Sequence, residues 1–300
     1  MSDGGSSVDR ELFESGYLES LSDQEFESRV RKIGELGAQG CRQACDLLHR
    51  TLLVERAEAR QVALLAAMKT KKCSHLPLAP IAGLLRSRSL LVPGSAALLL
   101  AAWGGEAEQI LVDSLADARG GSLDLYLFAL ANGTGPLDVG LFTPYVDHRS
   151  LSVRLASIAA LVERGDASCT ERLVDALAVR SEQTQVAALF ALIAVGDARA
   201  CDAVLRRLEL DSTRDRGYFF SFIKLELTFL AQHVREHPEV LAAARRVTVR
   251  NWKRRTDPEQ KWIARYLPQV SPESPDHLPP PSNEVVEEIR RLALEAARAD

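Results

Sequence analysis

The chain has 300 residues, more than one ordinary compact core usually holds, so two domains or one elongated repeat array are favoured. Apolar residues make up 46% and charged residues 26%, ordinary globular values, and a net charge of −4 excludes a generally basic nucleic-acid binder while leaving room for a local basic patch. The densest apolar run, 90–103, is interrupted by Pro93, Gly94 and Ser95, which excludes it as a bilayer span, so no membrane partner is expected.

The polar, acidic start carries no apolar core of a secretory signal, and five cysteines without disulfide-like spacing suit a reducing compartment. A cytoplasmic protein with free thiols is therefore expected. Residues 1–9 are Gly/Ser-rich and expected to be disordered. Glu11, Glu14, Glu19, Asp23, Glu25 and Glu27 then form an acidic stretch suited to a capping helix, so 1–23 is set apart as an N-terminal segment.

From 24 to 267, Ala- and Leu-rich segments alternate with short Gly/Asp/Pro breaks, and runs rich in Val, Ile and Thr are almost absent. The fold class is all-α. Segments 30–37, 59–68, 97–107 and 128–136 each resemble a helix followed by a break. The self-similarity is sharpest further on, where 150–177 lies over 181–208 at an offset of about 31 residues. Ala156 falls on Ala187, Leu161 on Leu192, and Gly165-Asp166-Ala167 on Gly196-Asp197-Ala198. Leu151, Leu155, Ile158 and Val162 stripe one helix face. Ser150 and Ser181 sit where an N-cap acceptor is needed, Gly165 and Gly196 where a left-handed residue would end the helix, and Asp166 and Asp197 where a second helix begins. Two-helix units of this kind cannot bury their stripes alone and must stack.

Helices are expected over 218–234 and 238–250, and Thr256-Asp257-Pro258-Glu259 opens another with a cap and a first-turn proline. Pro268, Pro272, Pro275, Pro279, Pro280 and Pro281 make 268–283 a stiff extended linker. The last segment, 284–300, reads as an amphipathic helix striped by Val285, Ile289, Leu292 and Ala296, and is more readily docked on a partner than on its own chain.

The stretch 150–208 resembles HEAT repeats of the short, phycocyanobilin-lyase-type kind, with Val153-Arg154 matching that family's recurrent first-helix pair; Thr184-Gln185 departs from it in the next unit. The resemblance is specific over about 60 residues and pattern-level over about 240. It implies a right-handed α-solenoid, a superhelix of about seven antiparallel helix pairs over 24–267, that binds partners and carries no catalytic residue.

Candidate chemistry is sparse. Cys41, Cys45 and His49 follow one strip of a helix, with Cys73 and His75 in the next unit, yet no C-x-x-C pair supports a zinc site and core packing explains the cysteines better. Cys169 and Cys201 occupy equivalent repeat positions and read as packing residues. No nucleophile elbow, phosphate loop or dinucleotide fingerprint is present; 132–136 is a turn between helices, and Asp147-His148-Arg149 a junction cap. The aromatic run Tyr218, Phe219, Phe220 and Phe222 continues into an apolar helix and reads as core. No metal, cofactor or small-molecule substrate is indicated.

The sharpest lead is electrostatic. Arg206-Arg207 and Arg245-Arg246 hold like positions in successive second helices, and Arg250, Lys253 and Arg254 extend the basic character around Trp252. Helices packed about 8–10 Å apart would make these neighbours on a concave surface. The expected function is a non-enzymatic scaffold binding a protein partner there. Nucleic-acid binding is the alternative, with a weak resemblance to HEAT-like alkylpurine DNA glycosylases, because Trp103, Trp252 and Trp262 bracket no carboxylate. Chromophore-lyase activity rests on fold analogy alone.

Overall fold

A computed structural model describes residues 18, 21–118, 122–135, 137–165, 167–213, 221–275 and 278–299. The expectations for 1–9, Glu11, Glu14 and Glu19, the cap at Asp166, and Tyr218, Phe219 and Phe220 lie outside the described residues. The described residues are helical with no strand, and they fall into two compact units, 1–137 and 138–300.

Unit one begins with α1 (Asp23–Ala38), whose start is fixed by a capping box between Ser22 and Glu25. Phe26, Val30, Ile33 and Gly37 recur at helical spacing and are buried against α2 (Arg42–Val54) and α3 (Glu58–Ala67). Gly34 is needed at the α1–α3 crossing, because a Cβ there would come within 3.0 Å of the Ala67 Cβ. Next come a 3-10 turn (Lys71–Cys73), α4 (Leu78–Leu84), α5 (Val92–Trp103), α6 (Gly105–Ser114) and α7 (Leu123–Ala131). α3, α5 and α7 pack side by side, and α4 and α6 lie against α5.

Buried polar tips tie successive layers to backbone. Trp103 Nε1 donates to the Met68 carbonyl at 3.0 Å, and the Tyr126 hydroxyl to the Leu85 carbonyl at 2.6 Å. Gly104 joins α5 to α6 at φ 71°, a left-handed value that favours glycine.

The cysteine expectation is corrected here. Cys45 in α2 and Cys73 in the 3-10 turn are joined in a disulfide, buried beneath Gly37, so these two are not free thiols. Their separation of 28 residues carries no spacing signature, and only the folding of α2 and α3 against α1 brings them together.

Unit two contains α8 (Leu151–Arg164), α9 (Thr170–Ala178), α10 (Glu182–Val195), α11 (Cys201–Ser212), α12 (Phe222–His233), α13 (Pro238–Arg250), α14 (Asp257–Tyr266) and α15 (Asn283–Ala299). α8, α10 and α12 pack in succession, α9 covers α10, and α11 covers α12 and α13. Ser181 Oγ accepts from the Thr184 N–H as expected of an N-cap, whereas Ser150, also at an N-cap, makes no such bond. Gly165 and Gly196 are C-caps in extended conformation, φ −82° and −71°, not left-handed. Glycine is required at Gly196 for space, since a Cβ would stand 2.7 Å from the Leu192 carbonyl oxygen.

Beyond its polar first turn, Glu182–Gln185, α10 is apolar all round, and the reason is α15, which lies across α10 and α12. Ile289 and Ala293 are buried there, and Arg290 donates to the Ile193 and Ala194 carbonyls at the end of α10. The helix expected to seek a partner is therefore docked on its own chain. The proline-rich segment is folded too: Arg245 donates to the carbonyls of Gln269, Ser271 and Ser274, and Gln269 Nε2 reaches the Pro279 carbonyl. Six prolines disguised this, because prolines set local φ and say nothing of the carbonyls left free for an arginine.

Leu161 and Leu192 are wholly buried at equivalent repeat positions. Truncating either to alanine is expected to cost about 2–5 kcal/mol in urea unfolding. The double variant Cys45→Ala/Cys73→Ala should destabilise unit one by about 3–4 kcal/mol, the chain-entropy value for a loop of this length, and adding reductant to the wild type should lower its melting temperature similarly.

Candidate functional site

The basic residues singled out in the sequence divide into two groups with opposite roles. Arg207 and Arg245 face inward. Arg207 is 9% exposed, its Nε 2.8 Å from Asp211 Oδ2 and its Nη2 2.6 Å from Gln185 Oε1. Arg245 holds the 269–274 backbone as described. These two are structural, and Arg207→Glu would bury an uncompensated charge instead of probing a surface.

Arg206, Arg246, Arg250, Lys253 and Arg254 are exposed. Two contacts fix their relation: Arg250 Nη1 lies 3.3 Å from Glu209 Oε1, and Arg254 Nη1 donates to the Thr213 carbonyl at 2.8 Å. Both contacts join the C-terminal end of α11 to the C-terminal end of α13 and the turn after it. The 3-10 turn Trp252–Arg254 continues this face from the end of α13. Trp252 is half-buried, so it offers less than a full ring for stacking. Two side chains that charge-based reading missed share the face: Leu210 is 41% exposed, one turn beyond Arg206, and Val249 is 38% exposed, beside Arg250. Their signal was present in the sequence, as apolar residues out of phase with the buried Val204/Leu208 and Val240/Ala244 stripes.

Beneath this face is a buried ionic cluster. Glu226 of α12 is fully buried, with Arg207 Nε 4.0 Å from its Oε1 and the Asp211 carboxyl beside it. Arg255 closes the cluster through a 2.5 Å bond to Ser212 Oγ. Burial raises the Glu226 pKa well above the usual carboxylate range, the Asp211 charge raises it further, and Arg207 and Arg255 only partly oppose this. Burial likewise lowers the Arg255 pKa.

The remaining candidates have structural explanations. Arg154 donates to Thr184 Oγ1 at 2.9 Å and to the His148 carbonyl at 2.7 Å, so the departure at Thr184-Gln185 still leaves an inter-helix bond. His148 Nδ1 takes the Ser150 N–H, which makes 147–149 a cap. With Cys45 and Cys73 joined, neither supplies a thiolate to a metal, and among the described residues no group of three or more Cys, His, Asp or Glu is placed to hold one. Cys169 and Cys201 are buried, and burial pushes the Cys201 thiol up to about 11, which makes it a poor nucleophile at neutral pH. A groove of about 400 Å³ beside α15 is walled by Leu155, Ile158, Val162, Phe190 and Leu294, with Glu163 as its one ionisable lining group. No described helix is long and apolar enough to cross a membrane.

Glu226 yields a pH prediction. Its folded pKa is raised, so the folded chain holds a proton that the unfolded chain releases; stability from this group is present below the unfolded value and declines as pH rises through the folded one. Urea midpoints measured from pH 5 to 9 should fall in the wild type, and Glu226→Gln, which keeps the neutral form, should flatten that decline.

The chain matches no protein-family model and no curated protein.

Proposed function

We propose that this chain is a non-enzymatic scaffold of HEAT-like helix pairs, an α-solenoid in which second helices carry the partner-binding face. The observation that carries the reading is the exposed face of α11, α13 and the turn after them. Five cations, Arg206, Arg246, Arg250, Lys253 and Arg254, gather there with the exposed carboxylates of Asp202, Glu209 and Glu239, in a chain whose net charge is −4. A face so unlike the rest of the molecule steers an acidic partner to one place and raises its association rate. The repeat-like pairing of 150–177 with 181–208 supports the scaffold reading, and the inward Arg207 and Arg245 give the face a fixed base.

Nucleic-acid binding is the second reading, favoured by the same cations. The cytoplasmic expectation is not part of the proposal, since a buried disulfide belongs more readily to an oxidising compartment.

The test is an affinity pull-down with the full chain, with and without nuclease, comparing wild type with Arg206→Glu/Arg246→Glu. Both substitutions are on exposed positions and should change stability by no more than about 0.5 kcal/mol. Specific partners retained after nuclease and lost in the double variant support the scaffold; recovery that the charge reversal does not alter overturns the assigned face.

A further inference from the structure

The first helices of unit one present an uncharged outer face. α5 contains no charged residue, and over 91–103 the side chains that are not buried are Leu91, Ser95, Leu98 and Ala102, a stripe at steps of four, three and four. On α7, Leu125 and Phe128 are 36% and 50% exposed. A Cβ at Gly94 would stand 3.2 Å from Leu125 Cδ1, so Leu125 lies over the first turn of α5, one turn from Leu98. Leu91, Leu98 and Leu125 therefore border one shallow groove between α5 and α7, with Phe128 on its outer shoulder.

Unit two shows what such a face takes. Gly104 and Gly196 end α5 and α10 with the same bond, from their N–H to the carbonyls of Leu100 and Leu192, two wholly buried leucines. In that register Leu98 falls on Phe190, Ala101 on Ile193 and Ala102 on Ala194. α10 carries α15 at these positions: Phe190 and Ala194 line a groove with Leu294 and Ala297, and Arg290 donates to the carbonyls of Ile193 and Ala194. Among the described residues no helix lies over the matching part of α5 and α7.

We infer that the α5–α7 face takes an amphipathic helix of a partner protein, one with the chemistry of α15: aliphatic residues at i and i+3 or i+4, with an arginine beside them. The inference concerns a different surface from the cationic face of α11 and α13 and stands without it. An extended peptide laid here would leave its N–H and C=O groups against aliphatic side chains, whereas a helix satisfies its own. An acidic segment or a nucleic acid finds no cation on α5 or α7. The aliphatic stripe of the incoming helix fills the groove between Leu98 and Leu125, and the small Ala102 lets it approach closely. Its arginine reaches the carbonyls of Ala101 and Ala102 in the last turn of α5, where intrahelical donors run out, as Arg290 does on α10.

The experiment is fluorescence anisotropy of a labelled peptide with the sequence of α15, residues 283–299, titrated with the full chain. Saturable binding with a dissociation constant below about 1 mM is expected. Leu91→Glu/Leu125→Glu in the chain should weaken it about ten-fold, Leu98→Gln about three-fold, and Ile289→Glu in the peptide about ten-fold. Circular dichroism of the chain variants separates a folding defect from a binding one, and Leu98→Gln is the milder change should the double variant unfold. Because the probe can also exchange with the chain's own α15, Ile289→Ala in the chain is measured in parallel. Binding that rises in that variant and is indifferent to Leu91→Glu/Leu125→Glu is on unit two and overturns the inference, as does no binding below about 1 mM. Sedimentation velocity of the chain alone tests a second copy: a dimer that Leu91→Glu/Leu125→Glu dissociates gives the face to that copy and overturns the helix. Co-sedimentation with phosphatidylglycerol vesicles, lost in the same variant, gives it to a membrane surface and overturns it likewise. None of these outcomes alters the pull-down test of Arg206 and Arg246, so the two surfaces stand or fall separately.

Discussion

The buried carboxyl of Glu226 governs the rotation of α11. A group wholly removed from water must be neutral or paired, and Arg207 is the side chain that α11 turns toward it, with Asp211 one turn later on the same side. Once Arg207 and Asp211 face inward, helical geometry forces Arg206 and Leu210 outward, about 100° away. The same cluster reaches Arg255 through Ser212, which fixes the chain as it leaves the turn after α13. Adjacent arginines thus have opposite fates for one reason: one is paired in the interior and the other is left in solvent.

A second constraint acts on the layer formed by α8, α10 and α12. Helices that are apolar on every side must be covered on every side, and α9 and α11 reach only one face of α10 and α12. α15 covers the other, with Ile289 and Ala293 as its buried contacts and Arg290 on the free carbonyls ending α10. The short apolar stripe of α15 is marginal by itself, and the arginine caps and the anchored 269–274 segment supply the rest of the attachment. In unit one the disulfide between Cys45 and Cys73 has the comparable task of securing α2 and the turn after α3.

Helix positions were legible where local signals agree. The Thr256 cap with Pro258 and Glu259 marked α14, Pro238 opened α13, and the Leu161/Leu192 equivalence marked two core positions. What escaped were features created by tertiary contact. Cys45 and Cys73 meet only after two helices fold back. Arg245 and Arg246 have the same charge, and only the folded 269–274 backbone distinguishes them. Gly165 and Gly196 ended helices as expected but through crowding against the preceding carbonyl, a reason that glycine's preference for left-handed backbone does not reveal.

The division of labour between buried and exposed cations also limits what it costs an acidic chain to gather cations on this face. Mutual repulsion among Arg206, Arg246, Arg250, Lys253 and Arg254 is limited by water and counterions at exposed positions, and Glu209 relieves part of it. Arg250 and Arg254 also lie at or just beyond the end of α13, where a cation is favoured by the unsatisfied carbonyls and the helix dipole. The cost of concentrating charge is therefore small on this face, whereas the same charges facing Glu226 would require one carboxylate each. That asymmetry leaves the charges of the α11–α13 surface open to change while the cluster beneath it stays fixed.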